Sequence, residues 1–205
     1  MWVKGTVMND TLKYYEINAS GFSESTVKVD FTEVQEKFLA LVPRGGTLLD
    51  FGCGAGRDTK AFLERGYRVE AVDGSEKLCE IASEFTGIEV KQILFEELDE
   101  MEKYDGIWAC ASILHLPKTE LKMVMSKMIC AVKQGGYIYI SFKYGEFEGD
   151  RNGRYFTDFT EETFQQFMQI FNEVSIKETW ISVDVRPGRG DEKWLNVIMQ
   201  RSAIN

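Results

Sequence analysis

Two hydrophobic rhythms alternate along this chain. Short apolar runs bounded by glycine or acidic residues predict strands at 47–51, 68–73, 89–94, 106–110 and 137–142. Between them, apolar residues recur at helical spacing. Phe31, Val34, Phe38 and Leu41 predict a helix from Asp30 to Pro43, with Asp30 and Glu33 as a capping box. A helix over 56–65 follows the first strand. Ser75 caps the next one, which turns Leu78, Ile81, Ala82 and Phe85 to one face. Leu121, Val124, Met128 and Val132 mark a helix ending at Gln134-Gly135-Gly136, and Thr160 starts another with Phe164, Phe167, Met168 and Phe171 inward. An acidic loop covers 96–102, and a polar loop follows the fifth strand.

Two further strands, near 174–183 and 193–200, are joined by the turn Pro187-Gly188-Arg189-Gly190. Alternating strands and helices predict right-handed βαβ units, a parallel sheet and helices on both faces. The last two strands have only a loop between them, so they pair antiparallel. The expected fold is therefore α/β, with seven strands mostly parallel and the last one antiparallel. No repeat, low-complexity tract or linker divides the chain. Residues 1–205 read as a single domain, with 1–42 a helical cap and 43–205 the core.

Hydrophobic residues at 44% and aromatics at 13% exclude wholesale disorder. No apolar run approaches the ~20 residues that span a bilayer. Met1-Trp2-Val3-Lys4-Gly5 lacks the features of a signal peptide, so a cytoplasmic protein without a membrane segment is expected. The net charge of −9 argues against a nucleic-acid substrate, because proteins that grip phosphate backbones carry a basic face. Cys53, Cys79, Cys110 and Cys130 show no metal-finger spacing and His115 is the one histidine, so no metal site is expected and the thiols read as reduced and mostly buried.

The stretch from Leu48 to Asp58 carries the chemistry. An apolar run ends on Asp50, and Gly52, Gly54 and Gly56 alternate before a helix begins. Glycine lets backbone turn tightly and approach a ligand, and a strand, glycine turn and helix N-terminus form a nucleotide-type cradle. A dinucleotide site needs G-x-G-x-x-G. Here Arg57 stands at that third position and the glycine arrives one residue early. A carboxylate as close as Asp50 suits a cofactor carrying an ammonium and a sulfonium better than a pyrophosphate.

This Gly52-Cys53-Gly54-Ala55-Gly56 loop, with Asp50 before it and Arg57-Asp58 after it, resembles motif I of class I S-adenosylmethionine-dependent methyltransferases. The resemblance runs roughly from Tyr14 to Met199. It implies a Rossmann-like doubly wound sheet, S-adenosylmethionine as methyl donor and S-adenosylhomocysteine as product. With the stretch 108–117 it is similar to small bacterial enzymes of the tellurite-resistance and ubiquinone-type group, without carrying over either substrate. It places Asp50 and the 52–56 loop at the methionine end, with Arg57 toward the carboxylate or, alternatively, paired with Asp58 or Glu64. Arg57 in a first helical turn is disfavoured by the helix dipole by roughly 0.3–1 kcal/mol, which a bound carboxylate would reverse. Asp73, 21 residues after Gly52, is placed to accept both ribose hydroxyls, with Gly74 leaving space for the sugar and Ser75 beside it. Leu94 stands where relatives carry an adenine-binding Asp, so Phe95 on the ring and Glu96 or a backbone carbonyl are the expected contacts.

Small residues Ala109, Cys110 and Ala111 flank the methyl group in this reading, and Cys110 is otherwise a buried filler. An unperturbed pKa near 6.5 suits His115 to general-base work, and its apolar neighbours suit a packed structural role equally. Tyr14 and Tyr15 lie in a short segment before the core, where an aromatic can face the sulfonium or clamp the core. Lys143 and Tyr144 follow strand five, and Arg154, Arg186 and Arg189 reach the same edge, with Tyr155 and Trp194 as an aromatic wall. Cations around one mouth of an acidic protein predict an anionic small-molecule acceptor, although interspersed carboxylates also fit a solvated loop. The alternatives are a methyltransferase acting on RNA or protein, or a non-catalytic cofactor-binding module. A monomer or homodimer is expected.

Overall fold

The computed structural model describes residues 6–203; the segment 1–5 inspected for a signal peptide lies outside the described residues. The chain begins with α1 (Thr6–Thr26) and α2 (Thr32–Leu39), then β1 (Thr47–Phe51), α3 (Arg57–Glu64), β2 (Arg68–Asp73), α4 (Glu76–Thr86) and β3 (Val90–Gln92). It continues through β4 (Tyr104–Ala109), α5 (Lys118–Ala131), β5 (Val132–Lys143), β6 (Glu148–Arg151), β7 (Arg154–Thr157), α6 (Glu161–Met168), β8 (Val174–Val183) and β9 (Lys193–Arg201). Seven strands form one sheet in the order β3-β2-β1-β4-β5-β9-β8. Only β9 runs against the rest, and it lies between β5 and β8.

Strand alternation divides the core in two. Leu48, Trp108, Tyr139 and Ile198 turn to one face and pack on Phe38 of α2 and Phe62 of α3. Leu49, Ile107, Ile138 and Val197 turn to the other and pack on α5 and α6 through Leu121, Met125 and Phe164. Helices therefore cover both faces, and the central strands are largely apolar, as two-sided burial requires.

Three local expectations change. No capping box opens α2; Asp30 Oδ1 instead accepts from Thr32 N at 2.9 Å, the helix starts two residues later, and Leu41 is exposed. Val132 is a strand residue, because pairing with Tyr104 pulls it out of the preceding helix and Gly135 (φ +74°) takes up the irregularity. The polar loop after the fifth strand contains the hairpin β6–β7, whose turn Asn152-Gly153 has φ values of 56° and 76°. Within the segment expected to be helical, α1 runs over 21 residues. Among the described residues no helix is long and apolar enough to cross a membrane.

Helix α1 packs across the carboxyl ends of the central strands instead of on a sheet face. Its Glu16 Oε2 accepts from Ser75 Oγ at 2.6 Å, and its Thr11 Oγ1 accepts from Tyr155 N at 3.0 Å. It thus ties α4 to β7 over the edge where ligands of such sheets bind.

Candidate active site

A cavity of about 850 Å³ opens at that edge, between α1, the β1–α3 loop, the ends of β2, β4 and β5, and the β6–β7 hairpin. This lies within the usual ~300–1,000 Å³ of small-molecule sites. Asp50, Gly52, Cys53, Gly54, Ala55, Arg57, Asp73, Gly74, Phe95, Cys110, Ala111, Tyr15 and His115 line it, as do Lys143, Tyr144, Arg154 and Arg186.

Four expected cofactor residues do not. Gly56 faces the opposite way: a Cβ there would stand 2.7 Å from Thr86 and 3.2 Å from Ala82, so this glycine serves the α3–α4 packing. Ser75 is a helix cap that accepts from Leu78 N and donates to Glu16. Glu96 is exposed, and Ala109 is buried beneath the end of β4. Gly52 is required by close approach, since a Cβ would lie 2.4 Å from Ser112 Cβ and φ is +82°.

Beside the glycine loop, the cavity-lining carboxylates Asp50 and Asp73 have no ion-pair partner among the described residues. Asp50 is buried, accepts from Thr59 Oγ1 at 2.5 Å, and its pKa is pushed up to about 8 by burial and then by the charge of Asp58. Asp73 accepts from Gly54 N and Ser75 N, both at 2.9 Å, and burial pushes it up to about 6. Each oxygen of Asp73 thus keeps room for a second donor. The space over Gly74, however, is taken by Leu12 of α1, whose Cδ2 lies 2.6 Å from where a Cβ would stand.

These shifts set a pH dependence. A carboxyl whose folded pKa is raised stabilises the fold while protonated, and that contribution is lost as pH rises through the raised value. Between pH ~6.5 and ~8 Asp58, held low, is ionised throughout. His115, held down at about 4, is neutral over this window, which leaves Asp50 at about 8 as the group that responds. The melting temperature of the unliganded protein is expected to fall across this window. In Asp50→Asn, which keeps the Thr59 contact, the slope should disappear; an unchanged slope would place its origin elsewhere.

Arg57 is committed to its neighbour. Its Nε and one terminal nitrogen donate to the two oxygens of Asp58 at 2.9 and 2.8 Å, and its guanidinium lies 4.4 Å from the Phe31 ring. Asp58 also accepts from Gln35 at 2.7 Å and from Trp108 Nε1 at 2.9 Å. Burial opposes its charge, but the Arg57 guanidinium and these donors hold its carboxyl below the usual range. The sequence offers Asp58 as an alternative partner of Arg57, and the fold adds its burial and its bonds to Gln35 and Trp108.

At the other wall, Ile93, Leu94 and Phe95 line the cavity, with Phe95 edge-on to Phe51 at 4.9 Å between centroids. Phe22 of α1 closes over the glycine loop, 3.0 Å from a Cβ at Gly54. Cys110 reaches the cavity with its thiol pushed up to about 12 by burial, which keeps it protonated. Of the four thiols only Cys79 is fully buried, and Cys130 is exposed. Ala111, next to Cys110, has φ +50°, and its N–H donates to Ser141 Oγ at 2.8 Å. A non-glycine residue so placed is a strained position of the kind that clusters at ligand sites.

His115 Nδ1 lies 2.6 Å from the Tyr155 carbonyl, an acceptor, so Nδ1 carries the hydrogen. Its Nε2 then accepts from the Tyr15 hydroxyl at 2.9 Å. Burial holds the imidazole down at about 4. It is neutral, and its one lone pair faces Tyr15, so it orients the phenol.

The mouth corrects the cation argument. Arg186 donates through Nε and a terminal nitrogen to Asp184 at 2.9 and 2.5 Å. Lys143 contacts Asp184 at 3.4 Å, pairs with Glu192 and lies 4.0 Å over the Trp194 ring. Arg189 sits 3.9 Å from Glu192. These cations are balanced by interspersed carboxylates, which leaves Arg154 as the expected substrate cation without a carboxylate among the described residues.

A glycine loop thus follows β1, an acidic residue ends β2, and one strand of the sheet is antiparallel. Residues 48–136 match the family model of a methyltransferase domain. Over this stretch the chain is similar to a methyltransferase domain. Among solved structures, the Burkholderia thailandensis 1,6-didemethyltoxoflavin-N1-methyltransferase, with 1,6-didemethyltoxoflavin and S-adenosylhomocysteine bound, aligns with a TM-score of 0.75 at 20% identity, over 95% of this chain and 86% of its own. The N-methyltransferase NodS of Bradyrhizobium japonicum WM9, in complex with S-adenosylhomocysteine, aligns at 0.73 and 16% identity, over 94% and 98%. The magnesium protoporphyrin IX methyltransferase of Synechocystis PCC 6803, with S-adenosylmethionine bound, aligns at 0.72 and 16%, over 98% and 100%. These likenesses show a Rossmann-like methyltransferase fold. No curated protein sequence matches the chain.

Proposed function

We propose that this chain is an S-adenosylmethionine-dependent methyltransferase acting on a small molecule, with α1 as the cap and α2 joined to the core through Phe38. The carrying observation is the pair of uncompensated carboxylates, Asp50 and Asp73, on either side of the glycine loop in one cavity. Burying a carboxylate without a counter-charge is costly, and a ligand bringing a cation to Asp50 removes that cost. S-adenosylmethionine fits this donor and acceptor set: its ammonium suits Asp50, its ribose hydroxyls suit Asp73, and its adenine suits Phe95. When bound it supplies an activated methyl group on a sulfonium.

The protein's own task is then to hold the acceptor in line with that methyl, and positioning of this kind contributes roughly 7–11 kcal/mol. The end of β4, at Cys110 and Ala111, and the end of β5, at Lys143 and Tyr144, face the cavity where the acceptor would approach. Tyr15, oriented by His115, closes the same side from α1. We place the chain with small bacterial methyltransferases of the tellurite-resistance and ubiquinone-type group on its 52–58 and 108–117 stretches, and assign neither tellurite nor quinone as acceptor.

Calorimetry with S-adenosylhomocysteine tests the assignment. Asp73→Ala should weaken binding by about 1.5–3 kcal/mol, the range for hydrogen bonds to a charged group. Wild-type affinity in that variant would return Asp73 to a purely structural role, and tight NAD binding by the native protein would end the methyltransferase reading.

A further inference from the structure

Among the described residues, two buried side-chain atoms lack a hydrogen-bond partner: Arg154 Nε and Asp158 Oδ1. Both residues line the same cavity. Arg154 opens β7 and Asp158 follows its last residue. Buried polar atoms are nearly always paired, and each exception needs a reason. Here the exceptions are one donor and one acceptor, on residues at the two ends of β7 that both line this cavity.

The charges around the cavity sharpen the point. Arg57 is matched by Asp58, Lys143 and Arg186 by Asp184, and Arg151 by Asp158 Oδ2 at 2.7 Å. Arg154 is held by rings instead, 4.5 Å from the Tyr14 centroid and 5.1 Å from that of Phe156. Its terminal nitrogen reaches Tyr15 Oη at 3.4 Å. The Tyr15 hydrogen is already given to His115 Nε2, so the phenol offers Arg154 a lone pair. That arrangement fixes the guanidinium without neutralising it.

We propose that β7 is the acceptor-binding strand, and that the acceptor is a small carboxylic acid bearing a second group, an amine or hydroxyl, with a hydrogen to donate. The carboxylate sits on Arg154, and the N–H or O–H is received by Asp158 Oδ1. This rests on the methyl-transfer reading above and names the substrate class for it. An arginine fork matches a carboxylate through two parallel bonds. Among the described cations lining the cavity, Arg154 is the one that is both half-buried and without a carboxylate partner, and it balances one negative charge; a phosphate dianion would bring a surplus toward the Asp158 carboxylate. Arg154 and Asp158 stand four residues apart on extended backbone, so the two groups of the acceptor stand apart on a short spacer. Leu114 and Phe156 give that spacer an apolar wall, which suits a ring.

The test is calorimetric titration of the full chain, saturated with S-adenosylhomocysteine, with 3-hydroxybenzoate, benzoate and 3-hydroxybenzamide. The hydroxy acid is expected to bind at least tenfold more tightly than the acid lacking the hydroxyl or the uncharged amide. Arg154→Gln should reduce 3-hydroxybenzoate to the level of the amide, and Asp158→Asn to the level of benzoate. Arg154→Lys, which keeps the charge without the fork and serves if the glutamine variant fails to fold, should show an intermediate loss. S-adenosylhomocysteine affinity should stay within twofold in all of them. Equal binding of acid and amide, or no binding of the acid to the loaded wild type, would overturn the proposal. So would a matching loss of S-adenosylhomocysteine affinity in Arg154→Gln, which would assign Arg154 to the cofactor. A wild type that does not take up S-adenosylhomocysteine at all would instead overturn the methyl-transfer reading, and this proposal with it.

Discussion

Asp58→Ala is expected to destabilise the fold by about 3–5 kcal/mol, the cost of breaking a buried ion pair from one side. The carboxylate receives four hydrogen bonds, from Arg57 twice, from Gln35 and from Trp108. Its loss strands the guanidinium of Arg57 against Phe31 and leaves the Trp108 N–H unpaired in the core. These four residues belong to α2, α3 and β4, so one carboxylate joins three elements that the hydrophobic core alone would merely stack. Asp58→Asn should cost less, because the amide oxygen still accepts from Trp108 or Gln35 while the ion pair is lost. Urea unfolding measures both. A loss below ~1 kcal/mol in the alanine variant would mean that Arg57 finds another partner, Asp50 being the carboxylate at hand.

Much of the sheet was legible because its strand ends carry punctuation. β1 stops where glycines begin, β2 stops at Asp73-Gly74, and both match the apolar runs residue for residue. Val132 was misread because helical spacing continued through it, and only pairing with Tyr104, a contact 28 residues away in sequence, pulls it into β5. The β6–β7 hairpin did announce itself in Asn152-Gly153, the pair most favoured in a two-residue turn, but its flanks are polar and mask the strands. Helix α1 has no sharp apolar face, since it packs on a ligand edge and not on the core.

The residues around the cavity were legible by type and less so by partner. Strand-end logic gathers Asp50, Asp73, Ala111 and Lys143 at one edge. It does not say which charges cancel. Asp184 lies two residues from Arg186 and ten from Trp194, and its position at the end of β8 brings it to Lys143 of β5 across β9. Likewise the sequence shows alternating glycines without showing that Gly56 looks toward α4 while Gly54 looks toward α1. Those directions follow from φ and helix placement, which spacing does not encode.

Gly54→Val is expected to weaken S-adenosylhomocysteine binding at least a hundredfold, about 2.8 kcal/mol, while the core still folds. Two terms add. Gly54 has φ +57°, where an L-residue costs roughly 1–2 kcal/mol and a β-branched one more. A Cβ there also stands 3.0 Å from Phe22 Cε1, so the valine methyls push α1 outward or the loop inward. Either movement disturbs the Gly54 N–H bond to Asp73, which orients the carboxylate meant for the ribose. The fold is spared because Gly54 contacts the cap helix and not the sheet core. The double variant Gly54→Val/Phe22→Ala separates the terms: it relieves the ring contact and keeps the backbone strain. Recovery of most of the lost affinity would show that α1 packing dominates, and little recovery that the positive φ does. Wild-type affinity in Gly54→Val itself would mean that the cofactor does not lie on this loop.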